Sequence, residues 1–173
     1  MQFRWYSIGN QFKVSGITSF DEFEKFTGIT AFGNIFSGGS LQRFKYPARL
    51  TRVQQGSLNA SSLNMDELVL PVTVTSMEGP NPNGYIGCIT IQSYLTVVIG
   101  YCYGRSIKGS TASTVKITYT EGVLPIATSG SMGQYYNKHY YYVPDALLAE
   151  YKAATGWSNI QARIFPLSEF PTE

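Results

Sequence analysis

The sequence predicts a β-rich α+β solenoid, in which short parallel strands stack between an aromatic N-terminal helix and a helical C-terminal cap. Three observations support this fold class. A short apolar strand pattern recurs along the middle of the chain, turn-forming residues separate its copies, and a helical pattern with an apolar face occurs near each end. One copy is too small to bury its own apolar side, so neighbouring copies must share a core. The 173 residues suffice for one such domain.

Residues 1–28 are expected to form an N-terminal arm followed by a short capping helix. The segment from Met1 to Gly16 mixes aromatic and polar types, which fits one or two short strands or an arm that lies against a neighbour. Ser19 matches a helix N-cap, and Glu22 completes a capping box. Aromatic residues then follow at helical spacing: Phe20, Phe23 and Phe26. This pattern predicts a two-turn helix whose aromatic face either covers the end of the core or binds a partner.

Residues 29–144 are expected to form the solenoid, and Leu41 to Val53 is its best-preserved copy. In that copy Phe44 and Tyr46 alternate like the buried side of a strand, which Pro47 then ends. Five strand centres align at similar but not identical spacings, of which the third is the longest: Phe44, Leu68, Ile89, Ile117 and Tyr141. A second apolar pair follows four of them: Leu50 and Val53, Val74 and Met77, Leu95 and Val98, and Leu124 and Ile126.

Residues 145–173 are expected to form a C-terminal helical cap and tail. Pro144 fits a first helical turn, and Asp145 places negative charge at the positive end of the helix. Gly156 is a good C-terminal stop. The first cap helix has an apolar stripe: Leu147, Leu148 and Tyr151. A second short helix is predicted from three further apolar residues: Trp157, Ile160 and Ile164.

Composition argues against several function classes. Only 14% of residues are charged and the net charge is +2 with scattered Lys and Arg, which argues against a nucleic-acid partner held by phosphate contacts. Met1 is not followed by the basic start and apolar run of a signal peptide, and the most apolar run, Leu95 to Tyr103, is too short to cross a bilayer. Cys88 and Cys102 either pair once or stay buried free thiols. The 13 tyrosines suit a surface that binds protein or sugar.

The sequence shows no catalytic constellation. His139 is the single histidine, and we expect it at an outward strand position without a partner at catalytic spacing. One His and two Cys make a poor metal site, and the glycine-rich pieces lack the order of a phosphate loop. Asp66 and Glu67 are adjacent, so they point to opposite sides of a strand or splay across a bend, unlike two acids that flank one bond. These observations indicate a non-enzymatic protein without cofactor or metal, since a hydrolase would need an acid or nucleophile constellation.

Outward strand positions line up as a strip across the predicted sheet, which changes from basic to acidic, to small and then to aromatic. Its rungs are Gln42, Arg43 and Lys45; Asp66, Glu67 and Val69; Gly87, Cys88 and Thr90; Val115, Lys116 and Thr118; and His139, Tyr140 and Tyr142. The candidate binding residues are Arg43, Lys45, Asp66, Glu67, Lys116, His139, Tyr140 and Tyr142. A tyrosine cluster is the preferred contact patch, unless it packs under the C-terminal cap: Tyr135, Tyr136, Tyr140 and Tyr142. The alternative for the whole strip is a solvated face without a ligand.

Two copies, LQRFKYPARLTRV at Leu41 to Val53 and MDELVLPVTVTSM at Met65 to Met77, resemble the BspA-like leucine-rich repeats. Units of that family read roughly L-x-x-I-x-L-P-x-x-L-x-x-I-G-x-x-A-F-x-x-C. Ile29 to Gly39 resembles the second half of such a unit, and Tyr142 to Trp157 is similar to the C-terminal cap common in such proteins from gut Bacteroidales and their phages. The resemblance covers about residues 17–167. It implies a leucine-rich-repeat-like stack of parallel strands and a binding role, and it carries no catalytic residues.

These observations predict a binding module of a phage virion, tail- or capsid-associated, or of a cell surface, which recognises a host surface protein or glycan. The expected location is the virion or the extracellular surface. The alternative is a structural assembly subunit that holds neighbouring copies or partners together in a virion. Expected partners are a protein or glycan on a bacterial surface or other virion proteins, with no nucleic acid and no membrane insertion. Whether the chain forms a homo-oligomer is left open.

Overall fold

The computed structural model describes residues 7–8, 16, 18–32, 41–54, 63–77, 84–98, 114–126, 137 and 139–171. Twelve strands lie within them: β1 (Ser7–Ile8), β2 (Ser19–Phe20), β3 (Ala31–Phe32), β4 (Arg43–Phe44), β5 (Arg52–Val53), β6 (Leu63–Val69), β7 (Ser76–Met77), β8 (Gly84–Ile91), β9 (Val97–Val98), β10 (Thr114–Ile117), β11 (Tyr140–Val143) and β12 (Ile164–Pro166). The described residues also contain one α-helix, α1 (Leu148–Ala153). Four 3-10 helices complete the described elements: Asp21–Lys25, Asp145–Leu147, Trp157–Arg163 and Leu167–Glu169.

Every strand pair among the described residues is parallel. One five-stranded sheet has the order β1-β3-β5-β7-β9, the other has the order β12-β11-β10-β8-β6, and β2 pairs with β4. The Asn64 amide donates to the Gln42 carbonyl at 2.8 Å, which links the β4 segment to β6. The chain from β1 to β9 therefore passes back and forth between two arrays of parallel strands. A parallel, strand-rich α+β fold is confirmed at this level.

The strand register confirms one part of the predicted copy alignment and corrects another. Leu68 pairs with Ile89, as the alignment of strand centres predicted. Ile89 pairs with Val115 rather than with Ile117, and Val115 pairs with Tyr141, so the two later copies are evenly spaced. Val115, predicted to face outward, is fully buried. A slip by one full strand period keeps the same side of a strand facing inward, so the apolar pattern alone did not reveal it.

A threonine ladder ties together the copies that end in β5, β7 and β9. Thr51, Thr75 and Thr96 directly precede these strands, and each donates its amide and its hydroxyl to the carbonyl of the threonine one copy earlier, beginning at Thr30. The hydroxyl bonds measure 3.0, 3.4 and 2.8 Å. The predicted second apolar residues of these copies point inward and are at most 1% exposed: Leu50, Val53, Val74, Met77 and Leu95.

The predicted N-terminal helix takes a different form. Ser19–Phe20 is strand β2, and a 3-10 helix begins only at Asp21, without a side-chain capping hydrogen bond. The capping-box prediction is wrong because Ser19 pairs with β4 through its backbone and accepts a hydrogen bond from Arg43 Nε at 3.1 Å. Phe23 is buried as expected of an aromatic face, whereas Phe26 is 46% exposed.

The C-terminal segment closes the core through α1 and the 3-10 helix that follows it. Tyr151 and Trp157 are buried, and their rings meet edge-on at 5.0 Å between centroids. Gly156, predicted to end the helix, has a φ of 84°, a left-handed value that favours glycine. Ile164 was predicted in a second helix and lies instead in β12, because pairing with β11 buries its side chain.

Candidate functional site

A surface groove of about 740 Å³ lies where the 3-10 helix Asp21–Lys25, β4 and β6 meet. Its described lining carries six charged side chains: Asp21, Glu24, Arg43, Lys45, Asp66 and Glu67. Four of them are among the eight predicted binding residues: Arg43, Lys45, Asp66 and Glu67. The fold thus brings half of the predicted site together and adds two carboxylates that sequence analysis missed.

Arg43 and Lys45 point outward as predicted, but acids of the preceding segment pair with both. Arg43 Nη2 lies 3.2 Å from Asp21 Oδ2, and Lys45 Nζ lies 3.3 Å from Glu24 Oε2. The four side chains are between 43% and 65% exposed. Exposed pairs of this kind contribute only about 0–1 kcal/mol, so a partner can displace them at low cost.

The sequence did contain a signal for these two acids. The spacing from Asp21 to Arg43, like that from Glu24 to Lys45, is close to the spacing between neighbouring copies. Residues 19–25 also match a capped helix, and that interpretation hides their likeness to a copy. Aligning them with the β4 segment would have placed acid beside base.

Asp66 and Glu67 form the acidic side of the groove. Both side chains are exposed although they are adjacent in β6, which fits the predicted bend rather than opposite sides of a strand. Glu67 accepts a hydrogen bond from the Thr90 hydroxyl and lies 4.0 Å from Lys116 Nζ. Among the described residues, no cation lies within salt-bridge distance of Asp66. Asp66 is therefore the lining carboxylate that no described cation neutralises.

Two exposed apolar side chains adjoin these charges in the groove. Val69, in β6, is 43% exposed, and Val72, in the turn that follows, is 65% exposed. Large exposed apolar side chains that cluster beside polar groups are typical of interaction surfaces. Val69 stood on the predicted outward strip, whereas Val72 gave no signal, because an isolated apolar residue in a turn is ordinary on protein surfaces.

The aromatic end of the predicted strip packs against the C-terminal segment. The ring of Tyr142 stacks on Phe165 at 5.6 Å between centroids and meets Phe170 edge-on at 5.1 Å. Lys116 Nζ lies 4.7 Å from the centroid of the same Phe170 ring. These contacts favour the second interpretation of Tyr142, namely packing under the cap.

The side chain of Tyr140 is more exposed to solvent than that of Tyr142. It is 41% exposed, and the guanidinium of Arg163 lies 5.1 Å from its ring centroid, within cation–π distance. Tyr135 and Tyr136 lie outside the described residues. Of the described part of the tyrosine cluster, Tyr140 is the member that a partner could reach.

Three further residues of the predicted strip are buried: Cys88, Thr90 and His139. His139 is 2% exposed and meets Tyr141 edge-on at 6.4 Å. Its predicted outward position is wrong, because it lies two residues before Tyr141 and therefore on the same inward side as Tyr141 and Val143. Cys88 is a free thiol that is 8% exposed, and burial raises its pKa to about 11. It is therefore protonated and unreactive near neutral pH. Of the two expected alternatives, the structure shows Cys88 as a buried free thiol, and Cys102 lies outside the described residues.

Neither a metal centre nor a membrane helix occurs in the described part of the chain. Among the described residues, no three His, Cys, Asp or Glu side chains group closely enough to hold a metal ion. No helix of those residues combines the length and apolarity needed to span a bilayer. The features that remain at the site are a groove, its charges and its two exposed valines.

Comparison with known proteins identifies no relative, since no protein-family model, curated protein or solved structure matches the chain. The resemblance to the BspA-like leucine-rich repeats therefore stays a prediction from sequence. The groove and the parallel strands around it are the structural features that bear on function.

Proposed function

We propose that the chain is a non-enzymatic binding module that recognises a protein or glycan on a bacterial surface, as part of a phage virion, tail- or capsid-associated, or of a cell surface. The groove is the observation that carries this proposal. Val69 and Val72 hold exposed apolar surface beside six charged side chains. Covering apolar surface with a partner removes it from water and favours binding.

The proposed architecture behind this surface is a solenoid of leucine-rich-repeat-like copies. Two features support it: strands β1 to β9 alternate between two parallel arrays, and the threonine ladder recurs once per copy. Stacks of this kind present long surfaces on which neighbouring copies contribute side by side. The groove fits such a surface, because its lining comes from successive copies.

The proposal is tested by measuring cell and glycan binding of the fluorescently labelled protein. Flow cytometry on a panel of gut bacteria and a glycan array should show binding to a subset of the cells or glycans. A Val69→Ser, Val72→Ser double variant should reduce this signal about ten-fold. Tyr94→Ser is the matched control, since Tyr94 is 45% exposed but does not line the groove, and it should bind like the unmodified chain.

Two results would count against the proposal. One is the absence of binding to every cell type and glycan tested and to purified virion proteins. The other is an equal loss of binding in the double variant and the control, which would show that binding does not depend on the groove. Circular dichroism of each variant separates lost binding from lost folding.

A second candidate, an assembly subunit, is favoured by one observation. Phe26 is 46% exposed at the edge of an aromatic cluster, with ring centroids 5.4 Å from Phe23 and 6.1 Å from Phe20. A neighbouring copy or virion protein could cover this ring. Size-exclusion chromatography with light scattering tests the idea: a strict monomer at high concentration, also after mixing with candidate neighbours, would count heavily against it.

A further inference from the structure

We infer that the occupant of the groove is an extended protein segment in which a Lys or Arg side chain reaches Asp66 and an apolar side chain two residues along rests on Val69 and Val72. The inference rests on the proposed binding function and names the class of its partner. It assigns the groove to a polypeptide and not to a glycan. Three properties of the groove support it: its charge, its dimensions and the absence of an accessible ring in its described lining.

The charge of the groove is opposite in sign to that of the chain. Its described lining holds four carboxylates and two cations, a formal net charge of −2, whereas the whole chain carries +2. Arg43 and Lys45 each neutralise one acid, and Lys116 lies within reach of Glu67, which leaves Asp66 without a described cation. A basic segment is therefore attracted electrostatically to the groove, whereas the net positive charge of the whole chain does not attract it.

The dimensions of the groove suit an extended backbone. The lining comes from four successive segments, namely the 3-10 helix Asp21–Lys25, the β4 segment, β6 and Gln92 after β8. Neighbouring strands lie about 4.8 Å apart, so three steps span about 14 Å, which about four residues of extended chain cover. Alternate side chains of such a segment point to the same side. One basic and one apolar side chain could therefore both face the groove.

The described aromatic rings of the lining are hidden from a ligand. Phe44 and Tyr46 are only 1% and 3% exposed, because they face the core. Sugars bind protein surfaces chiefly by stacking on exposed ring faces and by multiple hydrogen bonds. The described lining presents no such ring face, and its exposed valines and its carboxylates match the apolar and cationic side chains of a polypeptide.

The test measures fluorescence anisotropy of short labelled peptides with the full-length chain. Three peptides repeat a four-residue unit in which valine follows lysine, serine or glutamate two positions later, with serine at the positions between, so that both side chains face the same side. The Lys–Val peptide should bind, and the other two should bind at least about ten-fold more weakly. Asp66→Asn should weaken binding of the Lys–Val peptide about five-fold, the scale of a single exposed charge pair. Glu150→Gln, which removes an exposed charge outside the groove lining, should change it less than two-fold.

Each contrary outcome has a distinct meaning. Equal binding of the Lys–Val and Ser–Val peptides, or equal weakening by Asp66→Asn and Glu150→Gln, would overturn the inference, because attraction would then not be local to Asp66. Glycan or cell binding that needs Val69 and Val72, together with no peptide binding, would overturn the inference while the proposed function stands. No binding of any peptide, glycan, cell or virion protein would overturn both.

Discussion

Leu124 is the residue through which the C-terminal cap is hydrogen-bonded to the strands. Its amide donates to the Tyr151 hydroxyl at 3.1 Å, and its carbonyl accepts from Trp157 Nε1 at 2.7 Å. All three residues are buried, so water cannot replace either bond. A buried backbone group left without a partner costs about 1–3 kcal/mol.

Tyr151→Phe should therefore lower the free energy of unfolding by about 1–3 kcal/mol, because the Leu124 amide loses its acceptor while the ring remains. Urea denaturation followed by fluorescence measures the change. Tyr140→Phe is the matched control: that ring is 41% exposed, and its change should stay within about 0.5 kcal/mol. Equal losses in the two variants would show that the bond to Leu124 contributes nothing particular.

Because Cys88 is buried, we expect the folded chain to lose stability at alkaline pH. Its pKa rises from 9.0 to about 11 in the folded chain because burial disfavours the thiolate. An unfolded thiol ionises first, so the stabilising contribution is complete below pH 9 and is lost as the pH rises towards 11. The free energy of unfolding should fall by about 1–3 kcal/mol over this range.

The measurement is a series of urea denaturations between pH 8 and pH 11, on the unmodified chain and on Cys88→Ala. The alanine variant should show a shallower decline, since it has no thiol to ionise. Tyr151, whose burial raises its pKa to about 12, adds a further decline above pH 10 in both proteins. The same slope in both proteins between pH 9 and 10 would contradict the assignment to Cys88.

At the scale of elements, Thr73 joins the turn after β6 to the turn after β4. Its hydroxyl points at two carbonyls of the preceding copy, 2.7 Å from Leu50 O and 3.1 Å from Ala48 O. Thr73→Val should cost about 0.5–1.5 kcal/mol of unfolding free energy, because the nearly isosteric side chain cannot donate. Thr75→Val is the control, since its exposed hydroxyl bond is longer, at 3.4 Å. Urea midpoints compare the two, and a larger loss at Thr75 would contradict this assignment.

Elements with regular alternation could be predicted from the sequence, and irregular ones could not. The inward pair Phe44 and Tyr46 and the register of Leu68 with Ile89 follow from local apolar patterns. The position of β10 could not be predicted, because a slip by one full strand period leaves the buried side unchanged. β12 was missed because Ile164 also fits a helical spacing, and pairing with a distant strand decided its conformation.

The candidate site shows the same division. The alternation of side chains alone places Arg43 and Lys45 on the outer surface. Their partners Asp21 and Glu24 could not be predicted, because they belong to a segment that also matched a helix start. The groove itself could not be predicted, since its shape depends on how four segments meet. At Arg43 and Lys45 the sequence pattern thus indicated the direction of the side chains, whereas tertiary packing determined their neighbours.

At the scale of the whole molecule, the sheet β12-β11-β10-β8-β6 ends in a strand that contains proline. Pro166 is the last residue of β12 and has no amide hydrogen to offer a further strand. Pro166→Thr should increase self-association, because it restores a donor and adds a β-branched side chain at the edge. Static light scattering over time and concentration measures this. Pro171→Thr, beyond the last described helix, is the control and should self-associate no more than the unmodified chain. Equal self-association of the two variants would contradict the role of the edge.

The proline at this edge also bears on whether copies of the chain can stack into fibres. Parallel strands at regular spacing resemble the layers of an amyloid filament, and head-to-tail addition could in principle continue without limit. Such growth needs both a donating and a receiving edge on every copy. By weakening one of the two, Pro166 disfavours open-ended polymers while leaving finite contacts through other surfaces available.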